Sequence, residues 1–180
     1  VPIYLHKDVI SDALQEGSFP LYRHFMWGKR PAFQPEAVPE QLSTSKHILT
    51  VIDAPGHTAA HNIYHEKKEG WLFTGDLYLG TRQIVAFYEE DISQTITTIK
   101  MILELDFDTV FCAHSGVWQD GKKLFQQKLD YLEDLQGKVN NLKKQGLNSR
   151  QIDTRLFPAK LPITYVSRGQ WSSHNIIRTL

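Results

Sequence analysis

The sequence predicts an α/β protein, and three features of its 180 residues support that class. Short runs rich in β-branched and aromatic residues alternate with amphipathic segments at helical spacing. A strand, a helix and another strand follow one another in the second half, an order typical of layered α/β folds. Hydrophobic residues make up 41% of the chain, so one substantial core in a single compact unit is the default expectation at this length.

The first half is predicted to consist of short strands joined by loops. "PIYLH" has the composition of a short strand, and "KDVISDALQ" has the apolar spacing of one or two helical turns. Residues 27–45 carry three prolines and little periodicity, which indicates a surface loop. "HILTVID", "HNIYHEK" and "WLFTG" then predict three consecutive strands, separated by the turn-forming stretches "APGHT" and "KKEG".

The middle of the chain predicts a capped helix followed by a buried strand. Asp91 is a suitable N-cap for "ISQTITTIKMIL". The apolar positions of this helix fall on one face: Ile92, Ile96, Ile99, Ile102 and Leu103. "DTVFCAH" follows as a buried strand in which Cys112 is expected to be a small buried hydrophobe.

The C-terminal part is predicted to be helical. The longest helix covers residues 121–145 and ends at Gly146, a common terminator. A second helix begins at Asn148 or Ser149 and is stopped by Pro158, and residues 170–180 form a last helix. The apolar stripe of the longest helix repeats every three or four residues: Phe125, Leu129, Leu132, Leu135, Val139 and Leu142.

Charge and cysteine content favour a cytoplasmic protein without general affinity for polyanions or membranes. Twenty basic residues balance twenty acidic residues, so the whole molecule has no field that would attract nucleic acid or acidic lipid. One cysteine excludes an intramolecular disulfide, and no apolar run is long enough to cross a bilayer. The basic residues are nevertheless concentrated late in the chain, where only Asp153 opposes Lys143, Lys144, Arg150, Arg155, Lys160, Arg168 and Arg178.

Three polar residues follow predicted strands at turns and are candidate metal ligands. His57 follows "APG", Asp76 follows "FTG", and His114 follows "VFCA". The ends of neighbouring strands meet at one edge of a sheet, so these side chains are expected to lie close together. Neutral imidazole and carboxylate are ligands that suit zinc, iron or manganese.

The motifs around these residues resemble the C-terminal two-thirds of a metallo-β-lactamase-fold hydrolase. "APGHTAAH", "WLFTGDLYLG" and "TVFCAHSG" occur in the order and at the spacing typical of that superfamily, and the match covers residues 1–118. The resemblance implies part of a four-layer αββα sandwich, with residues 119–180 as a C-terminal helical extension packed on it or forming a small appendage.

The resemblance also implies roles for the three candidate ligands. His57 would bind a first metal, Asp76 would bridge two metals and act in catalysis, and His114 would bind the second. Two divalent ions, with zinc favoured over iron or manganese, would hold a bridging hydroxide that attacks a small-molecule ester, thioester, lactone or related substrate.

Some features depart from the family pattern. Ala60 stands where glycine is common, and Ser115 follows His114 in place of glycine. The family's H-x-H-x-D-H run, which supplies most of the other ligands, is absent. We expect the chain to be a fragment whose missing N-terminal segment carries that run, and therefore to be inactive alone. The alternative is a shortened relative that has lost half of the site.

Several other residues are candidates for supporting roles. Thr58 and Thr74 flank two of the ligands and could orient them or simply stabilise their turns. His61 could serve the site or the packing, whereas His65 is expected at the surface. Residues on the loop after Asp76 are candidates for substrate contact, although rim or core packing is an alternative for each: Tyr78, Arg82 and Tyr88. The remaining histidines have no local ligand pattern and are expected at the surface: His6, His24, His47 and His174.

Two alternative functions are compatible with this family resemblance. The basic region after residue 143 could serve a nucleic-acid-processing or nucleic-acid-binding protein, although a solvated helical face is the commoner meaning of such charge. A di-iron redox centre ranks last because it normally needs a flavin partner. A homo-oligomer is compatible with the sequence.

Overall fold

A computed structural model of the chain describes residues 2–180. The strands, in chain order, are β1 (Tyr4–Leu5), β2 (Glu36–Ala37), β3 (Gln41–Ser43), β4 (Ile48–Asp53), β5 (Asn62–Glu66), β6 (Trp71–Gly75), β7 (Ala86–Phe87), β8 (Thr109–Cys112), β9 (Gly116–Trp118) and β10 (Trp171–Ser172). The helices are α1 (Ile10–Ala13), α2 (Leu21–Trp27), α3 (Ile92–Leu103), α4 (Gly121–Lys144), α5 (Ser149–Leu156), α6 (Pro162–Val166) and α7 (Ser173–Thr179), with a 3-10 turn at Lys7–Val9.

A six-stranded sheet in the order β3-β4-β5-β6-β8-β9 organises the structure. All neighbours in it are antiparallel except β6 and β8, which are parallel and are connected through α3. Because β5 is antiparallel to both β4 and β6, the carboxyl ends of β4, β6 and β8 lie at one edge of the sheet. This topology brings the three turns that follow those strands together.

The hydrophobic core lies between the sheet and the later helices. The sheet contributes Ile63, Leu72 and Val110 to this core. These residues are fully buried and lie on the adjacent strands β5, β6 and β8. The predicted apolar stripes of α3 and α4 face it, since all of their residues are buried except Leu103, which is partly buried. Helix α4 packs on α3 and α5, and α7 packs on α3, α5 and β7.

The opposite face of the sheet is aromatic. Tyr64, Phe73 and Phe111 are aligned across β5, β6 and β8, and the rings of Phe73 and Phe111 stack with centroids 4.5 Å apart. Trp71 packs edge-on against Phe111. These side chains are half-buried, whereas the helix-covered face is fully enclosed.

The helix boundaries predicted from capping signals are confirmed. The Asp91 carboxylate accepts a hydrogen bond from the Gln94 amide at 2.9 Å at the start of α3. Asn148 caps α5 in a full capping box with Gln151. The prediction of a loop over residues 27–45 is wrong in part, because β2 pairs with β1 and β3 adds to the edge of the main sheet. Helices α2 and α6 are not predicted, since both are short and lack a side-chain cap.

The expected surface position of His65 is wrong. His65 lies two residues after the buried Ile63 on β5, so its side chain points to the same, helix-covered face and is 6% exposed. Its Nε2 lies 2.8 Å from the Asp106 carbonyl oxygen, which satisfies the ring where it is buried.

Other expectations about burial also need correction. His6, His24, His47 and His174 are half-buried, and Nε2 of His6 lies 3.5 Å from the Asp53 carboxylate. Cys112 is expected to be buried within the strand, but it is half-buried because it is the last residue of β8. None of the helices within residues 2–180 is both long and apolar enough to cross a membrane.

Candidate metal centre

The turn after β4 positions His57 against the start of α3. Gly56 has a φ of +143°, and a Cβ atom there would lie 2.4 Å from the Thr95 hydroxyl oxygen. The Gly56 carbonyl accepts a hydrogen bond from the Asp91 amide at 2.8 Å. Only glycine permits this close approach, which fixes the backbone one residue before His57.

The turn after β6 positions Asp76 beside His61. Gly75 has a φ of +52°, and a Cβ atom there would lie 2.7 Å from Nε2 of His61. The His61 ring is held from its other side, where Nδ1 lies 3.2 Å from the Ala54 carbonyl oxygen. His61 therefore packs between the β4 and β6 turns, with its ring centroid 5.9 Å from that of His57.

The three predicted ligands meet at the carboxyl edge of the sheet. Nε2 of His57 is 3.6 Å from Oδ2 of Asp76, and Nε2 of His114 is 3.2 Å from Oδ1 of the same carboxylate. The His57 and Asp76 side chains are largely enclosed, whereas the His114 side chain is 67% exposed. Asp76 therefore lies between the histidines, with one oxygen toward each.

Two atoms of this group are buried without a hydrogen-bond partner. They are Nδ1 of His57 and Oδ1 of Asp76, which does not form a hydrogen bond with His114 despite the short distance. Buried polar atoms are normally paired, and the unpaired Oδ1 of Asp76, which faces His114, suits a group held between those two side chains. Nδ1 of His57 faces Glu90 on the other side of the ring. Imidazole nitrogen and carboxylate oxygen are the atoms that a borderline metal prefers.

The described part of the chain does not by itself form a closed metal site. Within residues 2–180 no three histidine, cysteine, aspartate or glutamate side chains converge on one point where a metal ion could be held. This is consistent with His57 and His114 facing different oxygens of Asp76. The three candidate ligands would fit only an open arrangement, since a zinc site usually takes about three or four ligands from protein.

Glu90 is a buried carboxylate at this site that the sequence pattern does not reveal. Its Oε2 lies 3.8 Å from Nδ1 of His57, too far for a hydrogen bond, and accepts one from the Gln83 amide at 2.7 Å. Its Oε1 accepts a hydrogen bond from the Phe87 amide at 2.8 Å. No motif marks Glu90, because the loop that carries it reaches the site only through tertiary packing.

The two neighbouring histidines have pKa values shifted in opposite directions. Burial alone would lower the pKa of His57, but the Glu90 carboxylate and then Asp76 outweigh burial and raise it. Burial, and then the charge of His57, lowers the pKa of His61. Glu90 is therefore the main partner of His57 on the side away from Asp76.

The two threonines predicted to support the candidate ligands lie in different surroundings. Thr58 is exposed and lines a cavity beside the ligands. Thr74 is fully buried, and its hydroxyl donates to the Phe111 carbonyl oxygen at 3.4 Å within the sheet.

Of the predicted substrate contacts, only Arg82 lines the cavity beside the ligands. Tyr78 is 3% exposed and packs on Phe125, with ring centroids 5.2 Å apart, so it lies in the core. Tyr88 is 60% exposed outside the cavity and lies under the guanidinium of Arg178.

The cavity that adjoins the ligands has a volume of about 810 Å³. Its wall includes His57, Asp76 and His114 together with residues from α2, the loop between β6 and α3, and β10. Lys128 of α4 also reaches it and is 2% exposed. Burial lowers the pKa of Lys128 to about 8, although Glu90 partly opposes the effect, and its ammonium donates to the Gly80 carbonyl oxygen at 3.3 Å.

Two basic side chains of the C-terminal region bind other groups of the fold. Lys160 lies 2.7 Å from the Asp153 carboxylate, and the Arg178 guanidinium donates to the Tyr88 carbonyl oxygen at 2.6 Å. These two cations have partners within the fold. Binding of nucleic acid by the remaining basic residues stays a prediction.

Comparison with known proteins identifies the fold. No protein-family model matches the sequence, and no curated protein does. Among solved structures, the chain is similar to the metallo-beta-lactamase family protein TTHA1429 from Thermus thermophilus, with 14% identity over 99% of this chain and 64% of that one, and a TM-score of 0.67.

Two further solved structures share the fold. TTHA1623 in a di-iron-bound form is 22% identical over 68% of this chain and 62% of that one, with a TM-score of 0.51. The stereoselective inverting sec-alkylsulfatase Pisa1 from Pseudomonas sp. is 13% identical over 84% of this chain and 27% of that one, with a TM-score of 0.61. This chain thus spans less than two thirds of each of these proteins, and it has the metallo-β-lactamase fold.

Proposed function

We propose that the protein containing this chain is a metal-dependent hydrolase of a small-molecule ester, thioester, lactone or related substrate. The observation that carries the proposal is the position of Asp76, whose two oxygens face His57 at 3.6 Å and His114 at 3.2 Å. A carboxylate with a histidine on each side suits a bridge between two divalent ions, with zinc favoured over iron or manganese.

The similar structures support this proposal by their described properties. One of them is a di-iron-bound form and another is a sec-alkylsulfatase, so the fold carries metals and hydrolytic activity in those proteins. A pair of divalent ions would activate water and stabilise negative charge that develops on the substrate.

The residues of this chain would hold and orient that group. Asp76 would bind through both oxygens, and the histidines would bind through the nitrogens that face it. Glu90 would orient the His57 ring through Nδ1, the usual role of a carboxylate behind a metal-binding histidine. These ligands are too few for two ions, and we propose that a segment of the same protein outside this chain supplies the others.

Removal of the Asp76 carboxylate tests the proposal. In the longest form of the protein that contains this chain, Asp76→Ala is expected to lower both the metal content, measured by elemental analysis, and the turnover of an ester, thioester and lactone panel. Asp106→Ala, which removes an exposed carboxylate far from the edge, is the matched control. Unchanged metal content and turnover in Asp76→Ala would refute the proposal.

A further inference from the structure

The cavity beside the candidate ligands has an aromatic wall. Trp27, Phe87 and Trp171 form a cluster in which the Phe87 and Trp171 rings stack at 4.5 Å, and Trp27 lies 6.1 Å from Phe87 and 6.5 Å from Trp171 between ring centroids. The Phe87 ring is also 6.4 Å from the ring of His57. The cluster therefore begins directly beside a candidate ligand.

The aromatic wall continues into exposed aliphatic residues. Leu79 and Ile84 line the same cavity and are 50% and 48% exposed, and Trp27 is 56% exposed. Large apolar side chains exposed together in a concave site are unusual in a soluble protein unless a ligand or partner covers them. A volume of about 810 Å³ is within the range of small-molecule sites.

The cavity lining carries more positively charged than negatively charged side chains. Glu89 is paired with Arg23 at 2.8 Å, Glu90 is held by Gln83 and the Phe87 amide, and Asp76 lies between its two histidines. The buried Lys128 lies in the field of Glu90 and donates to the Gly80 carbonyl oxygen, and Arg30 donates to the Asp12 and Ala13 carbonyl oxygens. Two further cations of the lining, Lys29 and Arg82, form no ion pair within residues 2–180. A ligand that supplied negative charge would complement them.

We propose that the substrate is an anionic amphiphile whose apolar body packs on Trp27, Phe87 and Trp171 and whose acidic group lies beside Arg82. The proposal rests on the proposed function in one respect, since the bond to be hydrolysed would lie at Asp76. The acidic group is separate from that bond. The ligand class itself follows from the cavity alone.

Binding of simple amphiphiles to the longest form of the protein that contains this chain tests the ligand class without any reaction. Octanoate, octanol and butanoate are titrated calorimetrically in the presence of a chelator, which prevents coordination of the carboxylate by metal. Burial of each additional methylene should improve affinity about three- to fourfold. Because octanoate has four more methylenes than butanoate, we expect it to bind on the order of 100-fold more tightly than butanoate, and about tenfold more tightly than the uncharged octanol.

Two variants assign the parts of the ligand to the two parts of the cavity. Trp27→Ala should weaken octanoate binding about tenfold or more, whereas Phe25→Ala on the same helix should not, because Phe25 is 94% exposed outside the cavity. Arg82→Gln should remove most of the affinity advantage of octanoate over octanol. Arg150→Gln on α5 is the matched control for loss of an arginine and should have no effect.

The results separate this inference from the proposed hydrolase function. Equal binding of octanoate and octanol, or no effect of Trp27→Ala, overturns the ligand class even if metal binding depends on Asp76. Selective octanoate binding that is lost in Trp27→Ala and Arg82→Gln supports the ligand class, even if no metal binds and no ester is hydrolysed.

Discussion

Nδ1 of His57 lies 3.8 Å from the carboxylate of Glu90, on the side of the ring away from Asp76. The nitrogen is buried without a hydrogen-bond partner, and Glu90 is 7% exposed. A histidine placed between two carboxylates in this way can present one nitrogen to a metal and the other to the carboxylate behind it. In the proposed metal centre, Glu90 would therefore act as a positioning residue for His57.

The first prediction concerns this positioning role. Glu90→Gln should weaken divalent metal binding about 10- to 100-fold, because loss of a carboxylate behind a ligating histidine has effects of this size. The measurement is competitive titration of Zn²⁺ or Co²⁺ with a chromophoric chelator. Gln83→Leu removes another contact of Glu90 without touching His57, and it should keep most of the affinity. If both variants lost the same metal affinity, the conformation of the loop, and not the charge of Glu90, would control metal binding.

The second prediction concerns the turn before Asp76. In Gly75→Ala, the alanine would have to adopt a φ of +52°, and its Cβ atom would lie 2.7 Å from Nε2 of His61. It should lower the free energy of unfolding by about 1–2 kcal/mol from the backbone conformation alone, with an added cost for displacing the ring. Gly137→Ala in α4 has open space around it and should raise stability by about 0.5–1 kcal/mol.

Urea unfolding of both glycine variants provides the measurement. A Gly75→Ala protein as stable as the wild type would show that the turn can relax and that His61 does not depend on it.

The third prediction concerns the buried ammonium of Lys128. Its pKa is lowered to about 8 by burial, so below pH 8 the folded state carries a charged group that it disfavours. Lys128→Met should raise the free energy of unfolding there by up to about 3 kcal/mol. Between pH 8 and the unfolded-state pKa of 10.5 the folded protein releases this proton first, so wild-type stability rises and the difference shrinks.

Urea unfolding at pH 7 and at pH 10 measures this difference. Lys123→Met, on the exposed side of the same helix, is the control and should show no such pH dependence. A Lys128→Met advantage that is the same at both pH values would contradict the burial of a charged amine.

The fourth prediction concerns the Asp153–Lys160 ion pair. Asp153 is 8% exposed, forms an ion pair with Lys160 at 2.7 Å and accepts a hydrogen bond from the Ser173 hydroxyl at 2.6 Å. Lys160→Met leaves this carboxylate buried beside a hydroxyl only, which should cost about 2–3 kcal/mol of unfolding free energy. Lys144→Met, at the exposed end of α4, should change stability little.

A double variant separates the pair from its surroundings. Adding Asp153→Asn to Lys160→Met should recover part of the loss, since it removes the uncompensated charge. Additive losses in the two single variants would show that the pair does not couple.

Much of the fold can be predicted from the sequence because its signals are local. Each of these signals depends only on residues a few positions apart in the chain. They are the period of apolar residues in α3 and α4, the Asp91 and Asn148 caps, and the strand composition around residue 50. The predicted meeting of His57, Asp76 and His114 also follows, because each residue lies in the turn after a strand and the strands share one sheet edge.

Other parts of the site were decided only by tertiary structure. The aromatic cluster joins Trp27, Phe87 and Trp171, and Lys128 reaches the same cavity from a helix distant in the chain. Glu90 meets His57 only because its loop folds back over the β4 turn. No period or cap encodes such contacts, since they depend on the crossovers that bring distant segments together.

The sequence by itself determined the strands β4, β5, β6 and β8, the helices α3, α4 and α5, and the three candidate ligands that follow β4, β6 and β8. Only the tertiary structure decided that His65 is buried, that Glu90 stands behind His57, and that an apolar, cation-rich cavity adjoins the ligands. The physical reason is that periodicity and capping are properties of neighbouring residues, whereas burial and charge environment are set by segments far apart in the chain.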